Sequence, residues 1–163
     1  MSMKAIVLVG AALVLAACGS DPEPAPGPST GATGGVSGPA PNTVEYFNQV
    51  VGDRVFFDTD RFNVSDEAAR TLTAQAQWLA ANPGTTATIE GHADERGTRQ
   101  YNLALGARRA NAVRLFLIRQ GVEADRLRSV TFGKERPVAL GSDPTSWSQN
   151  RRGMTVVAGA PSS

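Results

Sequence analysis

The sequence predicts an α+β domain, with helices packed on one face of a small sheet, from three observations. Four short stretches are alternating or β-branched, as strands are, and two longer stretches carry apolar residues at helical spacing. The order of these elements is β-α-β-α-β-β. They occupy about 105 residues, which is the length of a single domain.

The first strand and the first long helix have clear ends in the sequence. Arg54 to Phe57 is predicted as a short strand, and a short helix over Thr43 to Val51 precedes it. Ser65 is a typical N-cap residue, and the acids at 66 and 67 suit the positive end of a helix. The tripeptide Asn82-Pro83-Gly84 ends this helix.

The second half of the domain supplies a longer helix and three more strands. Thr86 to Glu90 alternates as a strand, and a helix is predicted from about Asn102 to Gln120. Gly121 stands where a glycine ends many helices. Leu127 to Phe132 and Gly153 to Ala158 are the third and fourth predicted strands.

Residues 1–17 have the features of a secretory signal peptide. Lys4 precedes an apolar run over residues 5–17, which is shorter than the roughly 20 residues of a membrane-spanning helix. Cys18 is the one cysteine of the chain, so it cannot form an internal disulfide. Leu15-Ala16-Ala17-Cys18 resembles the bacterial lipobox, which implies lipidation of Cys18. Two or more acyl chains anchor a protein stably, and the residue after the cysteine, Gly19 rather than Asp, implies the outer membrane.

Residues 18–43 comprise the lipidated cysteine and a predicted linker. Positions 19–41 hold six Pro and six Gly and no large apolar side chain. Such a composition cannot bury enough apolar surface to offset its ordering entropy, so we expect a disordered tether. The folded domain is then expected over residues 44–163.

The charge of the chain is close to balanced. It has 16 Lys and Arg against 15 Asp and Glu; without Lys4, Asp21 and Glu23 the predicted domain has 15 against 13, a net charge of +2. A nucleic-acid surface needs a strong basic excess. The composition therefore predicts no nucleic-acid partner.

The most informative segment is the glycine-bounded turn of residues 91–97, GHADERG, directly after the second strand. Polar loops at strand ends commonly carry binding residues, although the composition alone is equally typical of a solvated turn. Asn102 and Arg109 are seven residues apart, so they lie on one helix face with Gly106 between them. We expect these three residues and Asp94 to line a shallow groove.

A carboxylate, an amide and a guanidinium in one groove suit a zwitterionic ligand. Asp94 can hold an ammonium group, while Arg109 can donate two parallel hydrogen bonds to a carboxylate. Arg108 lies about 100° around the helix and is expected to face solvent or an ion pair. The apolar stripe expected to face the core consists of Leu103, Ala107, Ala110, Val113 and Leu117.

Several motifs then occur in one order and spacing: GHADERGT at 91–98, YN at 101–102, LG at 105–106, RRA at 108–110 and NRR at 150–152. Together they resemble the OmpA-like peptidoglycan-binding domain over residues 54–158. The resemblance implies a mixed four-stranded sheet with two helices on one face. With the lipobox and the Pro/Gly tether, the chain resembles the lipoprotein branch of that family, which works with the Tol proteins.

The resemblance also implies a site for the diaminopimelate of the peptidoglycan stem peptide. Asp94 matches the Asp that contacts its ammonium and carboxylate end, and Arg109 matches the Arg that grips a diaminopimelate carboxylate. One Arg of the NRR segment also belongs near the site: Arg152 is the predicted one, although the choice between it and Arg151 stays open. The other implied peptidoglycan-binding residues are Phe57, Asp58, Thr59, Asn102 and Leu105.

No catalytic residue, metal site or cofactor is expected. His92 and Asp94 could form a His–Asp pair, but no nucleophile motif accompanies them, and one Cys with one His does not supply a zinc site. His92 is instead expected to be buried and hydrogen-bonded under the turn. Trp78 and Trp147 are expected to be core or rim aromatics with no ligand role.

The sequence therefore predicts a non-enzymatic tether, lipid-anchored on the periplasmic face of the outer membrane and bound to peptidoglycan. The resemblance implies partners among the Tol-system proteins, including the periplasmic propeller protein that competes for the peptidoglycan-facing surface, and a part in outer-membrane constriction at division. One alternative is an OmpA-like lipoprotein that works outside the Tol system. The other is an enzyme of cell-wall turnover.

Overall fold

The computed structural model describes residues 38–158, and their fold confirms the predicted α+β class. Four strands and four α-helices alternate, with a π-helical turn over Phe47–Gly52 and a 3₁₀ turn over Ala124–Arg126. The α-helices and strands, in chain order, are α1 Val44–Tyr46, β1 Arg54–Phe56, α2 Asp66–Ala81, β2 Thr86–His92, α3 Arg99–Arg119, β3 Leu127–Gly133, α4 Pro144–Asn150 and β4 Arg152–Ala158.

The strands form one mixed sheet in the order β1-β4-β2-β3. The last strand, β4, lies between β1 and β2 and runs antiparallel to both, with Val55 opposite Gly153 and Ile89 opposite Thr155. β2 and β3 run parallel. As a result the end of β1, the end of β2 and the start of β4 meet at the same edge of the sheet.

Both long helices lie on one face of the sheet, as predicted. α3 packs on β2 and β3, and α2 packs on β1 and α3. The apolar side chains of this layer alternate along the strands, so that every second residue faces the helices. The largest fully buried apolar members are Phe47, Leu72, Leu79, Ile89, Val113 and Leu117.

The ends of the helices follow their capping residues. The Ser65 hydroxyl accepts a hydrogen bond from the Ala68 amide, which confirms the predicted cap of α2. α3 begins at Arg99 rather than at the predicted Asn102, because Thr98 caps it by accepting a hydrogen bond from the Tyr101 amide. Gly121 has a φ of 98°, the left-handed conformation expected of a glycine just past a helix.

Gly106 serves close packing of α3 on the sheet, which corrects its expected place in a ligand groove. A Cβ atom added there would lie 2.8 Å from the Gly91 carbonyl oxygen and would overlap the Thr131 hydroxyl. Gly106 therefore lies against the backbone of β2 and not against a ligand. The helix face is also rotated relative to the predicted stripe: Ala107 is exposed and Leu103 only half-buried.

The sequence did not predict α4. Its seven residues show no apolar periodicity, and the segment begins on Asp143, whose carboxylate accepts hydrogen bonds from the Thr145 and Ser146 amides. Pro144 takes the first helical position, where its missing N–H costs nothing. α4 brings Trp147 to the edge of the sheet where β4 begins.

The predicted signal peptide, the predicted lipidation site Cys18 and most of the predicted linker lie outside the described residues. At the domain end of the linker, the Pro41 carbonyl accepts a hydrogen bond of 2.7 Å from the indole N–H of Trp78, which is buried against Phe47. The folded part thus reaches back to Pro41, three residues before the predicted boundary. Within residues 38–158, none of the helices is both long and apolar enough to cross a bilayer.

Candidate functional site

Three loops meet at the edge of the sheet where β1 and β2 end and β4 begins. The residues after β1 supply Phe57, Asp58 and Thr59, the turn after β2 supplies Asp94, and Arg151 directly precedes β4. Their convergence follows from the antiparallel pairing of β4 with both other strands. The fold thereby brings together residues that are up to 94 positions apart in the sequence.

Asp94 is at the centre of this cluster and lies between two guanidinium groups. Its Oδ1 accepts hydrogen bonds from the backbone amide and from Nε of Arg96, at 3.1 and 3.2 Å. Its Oδ2 accepts from Nη2 of Arg96 at 2.6 Å and from Nη1 of Arg151 at 3.4 Å. Burial alone would raise the pKa of Asp94, but the hydrogen bonds and charge of Arg96, with Arg151, hold that pKa below its ordinary value. The side chain is therefore a carboxylate at neutral pH.

Arg96 links the turn that carries Asp94 to the segment after β1 and to α4, and the sequence did not predict this role. Its Nη2 also lies 3.3 Å from the Thr59 hydroxyl, and its guanidinium lies 4.2 Å from the centre of the Trp147 ring. Trp147 in turn donates to a Glu95 carboxylate oxygen at 3.0 Å. Trp147 thus supports the site from α4, although the sequence indicated no ligand role for it.

Arg109 lies beneath the cluster and is fully buried, at 0% exposure. Its guanidinium donates to three backbone carbonyls, those of Asp58, Arg61 and His92, at 3.0, 2.9 and 2.8 Å. Burial lowers the pKa of Arg109 to about 10, and the nearby charge of Arg151 acts in the same direction. The side chain stays protonated at neutral pH and ties the segment after β1 to the end of β2.

Asn102 and Leu105 are buried as well, at 1% and 5% exposure. The Asn102 amide donates to the Arg96 carbonyl at 2.8 Å, so it fixes the turn that carries Asp94. The expected open groove along α3 is therefore wrong in this structure: Asn102, Leu105 and Arg109 form the floor under the loops. Arg108 is exposed beside Phe62, as predicted.

The structure brings Arg151 to Asp94, whereas Arg152, the residue predicted for the site, points elsewhere. Arg151 also donates from Nε to the Phe57 carbonyl at 2.9 Å, and 14% of its side chain stays exposed. Arg152 is buried on the sheet face opposite the helices, where its Nη2 donates to the Arg136 carbonyl. Neighbouring residues of an extended chain point to opposite faces, so only one of the two can reach the site.

Two open cavities flank the Asp94 cluster. One, of about 430 Å³, lies between the end of β1, the start of α2 and the end of α4; its walls include Phe56, Phe57, Asp58, Glu67, Gln149 and Arg151. The other, of about 250 Å³, is lined by Thr59, Asp60, Arg96, Gly97 and Tyr101. Arg151 lines the first cavity together with Asp58, and Arg96 lines the second together with Asp60. A molecule bound in either cavity would therefore meet a guanidinium group and a carboxylate.

His92 is buried under the turn, as predicted, but the predicted hydrogen bond is absent. Among residues 38–158 neither ring nitrogen forms a hydrogen bond, although Nε2 lies 3.4 Å from a Glu90 carboxylate oxygen. The ring stacks on Phe132 with centroids 5.5 Å apart. Burial lowers the pKa of His92 to about 4, and the charges of Arg152 and Arg136 act in the same direction. At neutral pH the imidazole is therefore uncharged, and it packs against Phe132.

Within the described part of the chain, no three His, Cys, Asp or Glu side chains come together as metal ligands. The Thr59 hydroxyl at this cluster accepts a hydrogen bond from Arg96. The chemistry that this cluster offers is the recognition of charged and hydrogen-bonding groups by fixed carboxylates and guanidinium groups.

Comparisons with known proteins agree with this fold. The OmpA family model matches residues 56–151. A peptidoglycan-associated lipoprotein of Agrobacterium fabrum is 48% identical over 156 residues, which cover 96% of this chain and 88% of the relative. One from Rhizobium meliloti is 51% identical over 150 residues, which cover 92% and 85%. The crystal structure of the peptidoglycan-associated lipoprotein from Burkholderia pseudomallei has a TM-score of 0.66 at 43% identity and covers 68% of this chain and 96% of that one. The chain therefore belongs to the OmpA family, in the branch of the peptidoglycan-associated lipoproteins.

Proposed function

We propose that this protein binds peptidoglycan non-covalently through the diaminopimelate of the stem peptide and thereby tethers the outer membrane to the cell wall. The observation that carries the proposal is the ion-paired Asp94, a buried carboxylate with a lowered pKa between two open cavities. The relatives named above are peptidoglycan-associated lipoproteins, which supports the choice of ligand.

In this proposal Asp94 accepts hydrogen bonds from the side-chain ammonium of diaminopimelate, and Arg151 beside it binds the neighbouring carboxylate. Arg151 is the one that reaches the ligand, because it is partly exposed and lines the larger cavity. Arg109 adds positive charge from below and holds the carbonyls of Asp58 and Arg61 in place. A direct bond from Arg109 to the ligand would require it to give up one of its three carbonyl partners.

Co-sedimentation with purified sacculi tests the proposed role of Asp94. Asp94→Asn keeps the size of the side chain but removes the charge that an ammonium needs. Charge-assisted hydrogen bonds contribute about 1.5–3 kcal/mol, so the dissociation constant should rise by up to about a hundredfold. Arg108→Ala is the matched control and should bind like wild type, since Arg108 is exposed away from the cluster. A folded Asp94→Asn protein that binds sacculi as tightly as wild type would refute this function.

The same sacculi separate the binding function from an enzyme of wall turnover. A binding protein leaves the sacculi intact during incubation. Release of soluble muropeptides by the wild-type protein would show instead that the protein is an enzyme.

We further propose that residues 1–17 are a cleaved signal peptide, that Cys18 carries the lipid anchor in the outer membrane, and that the residues between Cys18 and Pro41 are the tether to the folded domain. Cys18→Ser removes the thiol that accepts the lipid. The variant should lose palmitate labelling and leave the outer-membrane fraction. Continued labelling and membrane association would contradict the anchor.

We also propose that the protein works in the Tol system, with the periplasmic propeller protein as a partner, and takes part in constriction at division. Recovery of Tol proteins after cross-linking in cells tests this step. Their absence, with sacculus binding intact, would favour the alternative of a wall-binding lipoprotein that works outside the Tol system.

A further inference from the structure

The Asp94 carboxylate, which the proposed function assigns to the ligand ammonium, already accepts hydrogen bonds at all of its positions within the protein. A carboxylate has about four acceptor positions. In Asp94 three of them accept hydrogen bonds from Arg96, two through its side chain and one through its backbone amide, and the fourth accepts from Arg151. An ammonium group that approaches Asp94 finds no unused oxygen position.

The side chain of Arg96 is the one of these partners that can leave. Its backbone amide is fixed by the turn, which Asn102 holds through the Arg96 carbonyl, and Arg151 is also tied to Phe57. The Arg96 guanidinium, by contrast, is attached to a side chain that is 40% exposed and that borders the smaller cavity. Its remaining hydrogen bond, to the Thr59 hydroxyl, is 3.3 Å long and exposed, so water can replace it. The Trp147 ring, 4.2 Å from that guanidinium, offers it a flat surface beside Asp94.

We propose that Arg96 occupies the ammonium site in the unbound protein, that the ligand ammonium must displace it, and that Arg96 thereby sets the affinity and charge selectivity of the site. This inference rests on the proposed function. Binding then exchanges one cation on Asp94 for another, so the net gain from the ammonium is smaller than that of a new ion pair. A ligand displaces Arg96 only if it also contacts Arg151, because the ammonium alone gains too little binding free energy.

The test uses two variants that each remove one positive charge. Arg96→Met removes the competing guanidinium and keeps a side chain of similar length. Arg99→Met is the matched control: Arg99 is 71% exposed and pairs with Glu135 at 3.2 Å, so the same charge is lost outside the site. The melting temperature of each purified full-length variant shows whether the fold is intact at the assay temperature.

The probe is N-acetyl-L-alanyl-γ-D-glutamyl-meso-diaminopimelate, whose one ammonium is on the diaminopimelate side chain; a second probe has that ammonium acetylated. Calorimetric titration should show Arg96→Met binding the first probe about two- to fivefold more tightly than wild type, the size of one partly exposed ion pair. Binding of the acetylated probe should not improve, and Arg99→Met should match wild type with both probes.

Three results of this titration would overturn the inference. Equal or weaker binding of the first probe by Arg96→Met would mean that Arg96 does not compete with the ammonium. An equal gain with the acetylated probe would show a general effect of size or charge. A wild-type protein that binds neither probe would refute the proposed function and this inference with it, whereas the first two results leave the function standing.

The Nε–Hε resonance of Arg96 gives a second readout, on the wild-type protein alone if Arg96→Met fails to fold. In the unbound protein this group donates to Asp94 Oδ1. With saturating first probe the resonance should move toward the position of a solvent-exposed arginine. A resonance that does not move at saturation would overturn the inference, because displacement breaks this hydrogen bond.

Discussion

Replacement of Arg109 by alanine should destabilise the whole domain, not merely weaken ligand binding. The side chain is fully buried and makes three charge-assisted hydrogen bonds to carbonyls of two separate segments. Each such bond contributes about 1.5–3 kcal/mol. Two effects reduce the loss: the variant no longer has to desolvate a cation on folding, and water can hydrate the carbonyls of Asp58 and Arg61, whose bonds to Arg109 are only partly buried. We therefore expect a net loss of about 3–5 kcal/mol of unfolding free energy.

Urea denaturation followed by circular dichroism measures this loss. A domain of this size should also melt about 10–20 °C lower. Arg108→Ala is the control on the neighbouring position: the Arg108 guanidinium is 5.7 Å from the Phe62 ring, and its loss should change stability by less than about 0.5 kcal/mol. If Arg109→Ala were as stable as Arg108→Ala, the three carbonyl bonds would not hold the site together, and the scaffold role of Arg109 would be wrong.

Three further predictions concern stability. The pKa of His92 is about 4 in the folded protein and 6.5 ordinarily, so between these pH values the unfolded chain binds one more proton than the folded one. The free energy of unfolding should therefore fall by up to about 3 kcal/mol as the pH drops from 6.5 to 4. In His92→Leu, urea denaturation at the same pH values should show a smaller fall. Asp94 contributes stability above its ordinary pKa of 3.8 and loses it at lower pH, so the gap in unfolding free energy between wild type and Asp94→Asn should close only below pH 3.8. Gly106→Ala should lower the unfolding free energy by about 1–3 kcal/mol through its clash with β2, whereas Gly84→Ala, with nothing within 4 Å, should not.

Local patterns in the sequence were sufficient for most of the fold. Strand alternation and helical spacing depend on neighbouring residues, and so do caps such as Ser65, so they can be read without knowing the tertiary structure. The earlier start of α3 could have been predicted from Thr98, a residue type that caps helices. By contrast, α4 is short and has no apolar stripe, because its contacts are polar ones at the edge of the sheet.

The candidate site was predictable in its centre but not in the roles of its residues. Helical spacing placed Asn102 and Arg109 on one face of α3. It could not show whether Arg109 contacts a ligand or, as in the structure, backbone carbonyls such as that of Arg61, 48 positions earlier in the chain. The choice between Arg151 and Arg152 depends on the register of β4. The role of Arg96 depends on Thr59 and Trp147, which only the complete fold brings to it.

The measurement that most directly tests the proposed recognition compares binding of the wild-type protein to diaminopimelate-type and lysine-type sacculi. Both ligands offer a side-chain ammonium to Asp94, but only diaminopimelate has the adjacent carboxylate that Arg151 is proposed to bind. One charge-assisted hydrogen bond of about 1.5–3 kcal/mol predicts at least tenfold tighter binding to the diaminopimelate type. Equal affinity for the two kinds of sacculi would contradict the proposed recognition of diaminopimelate.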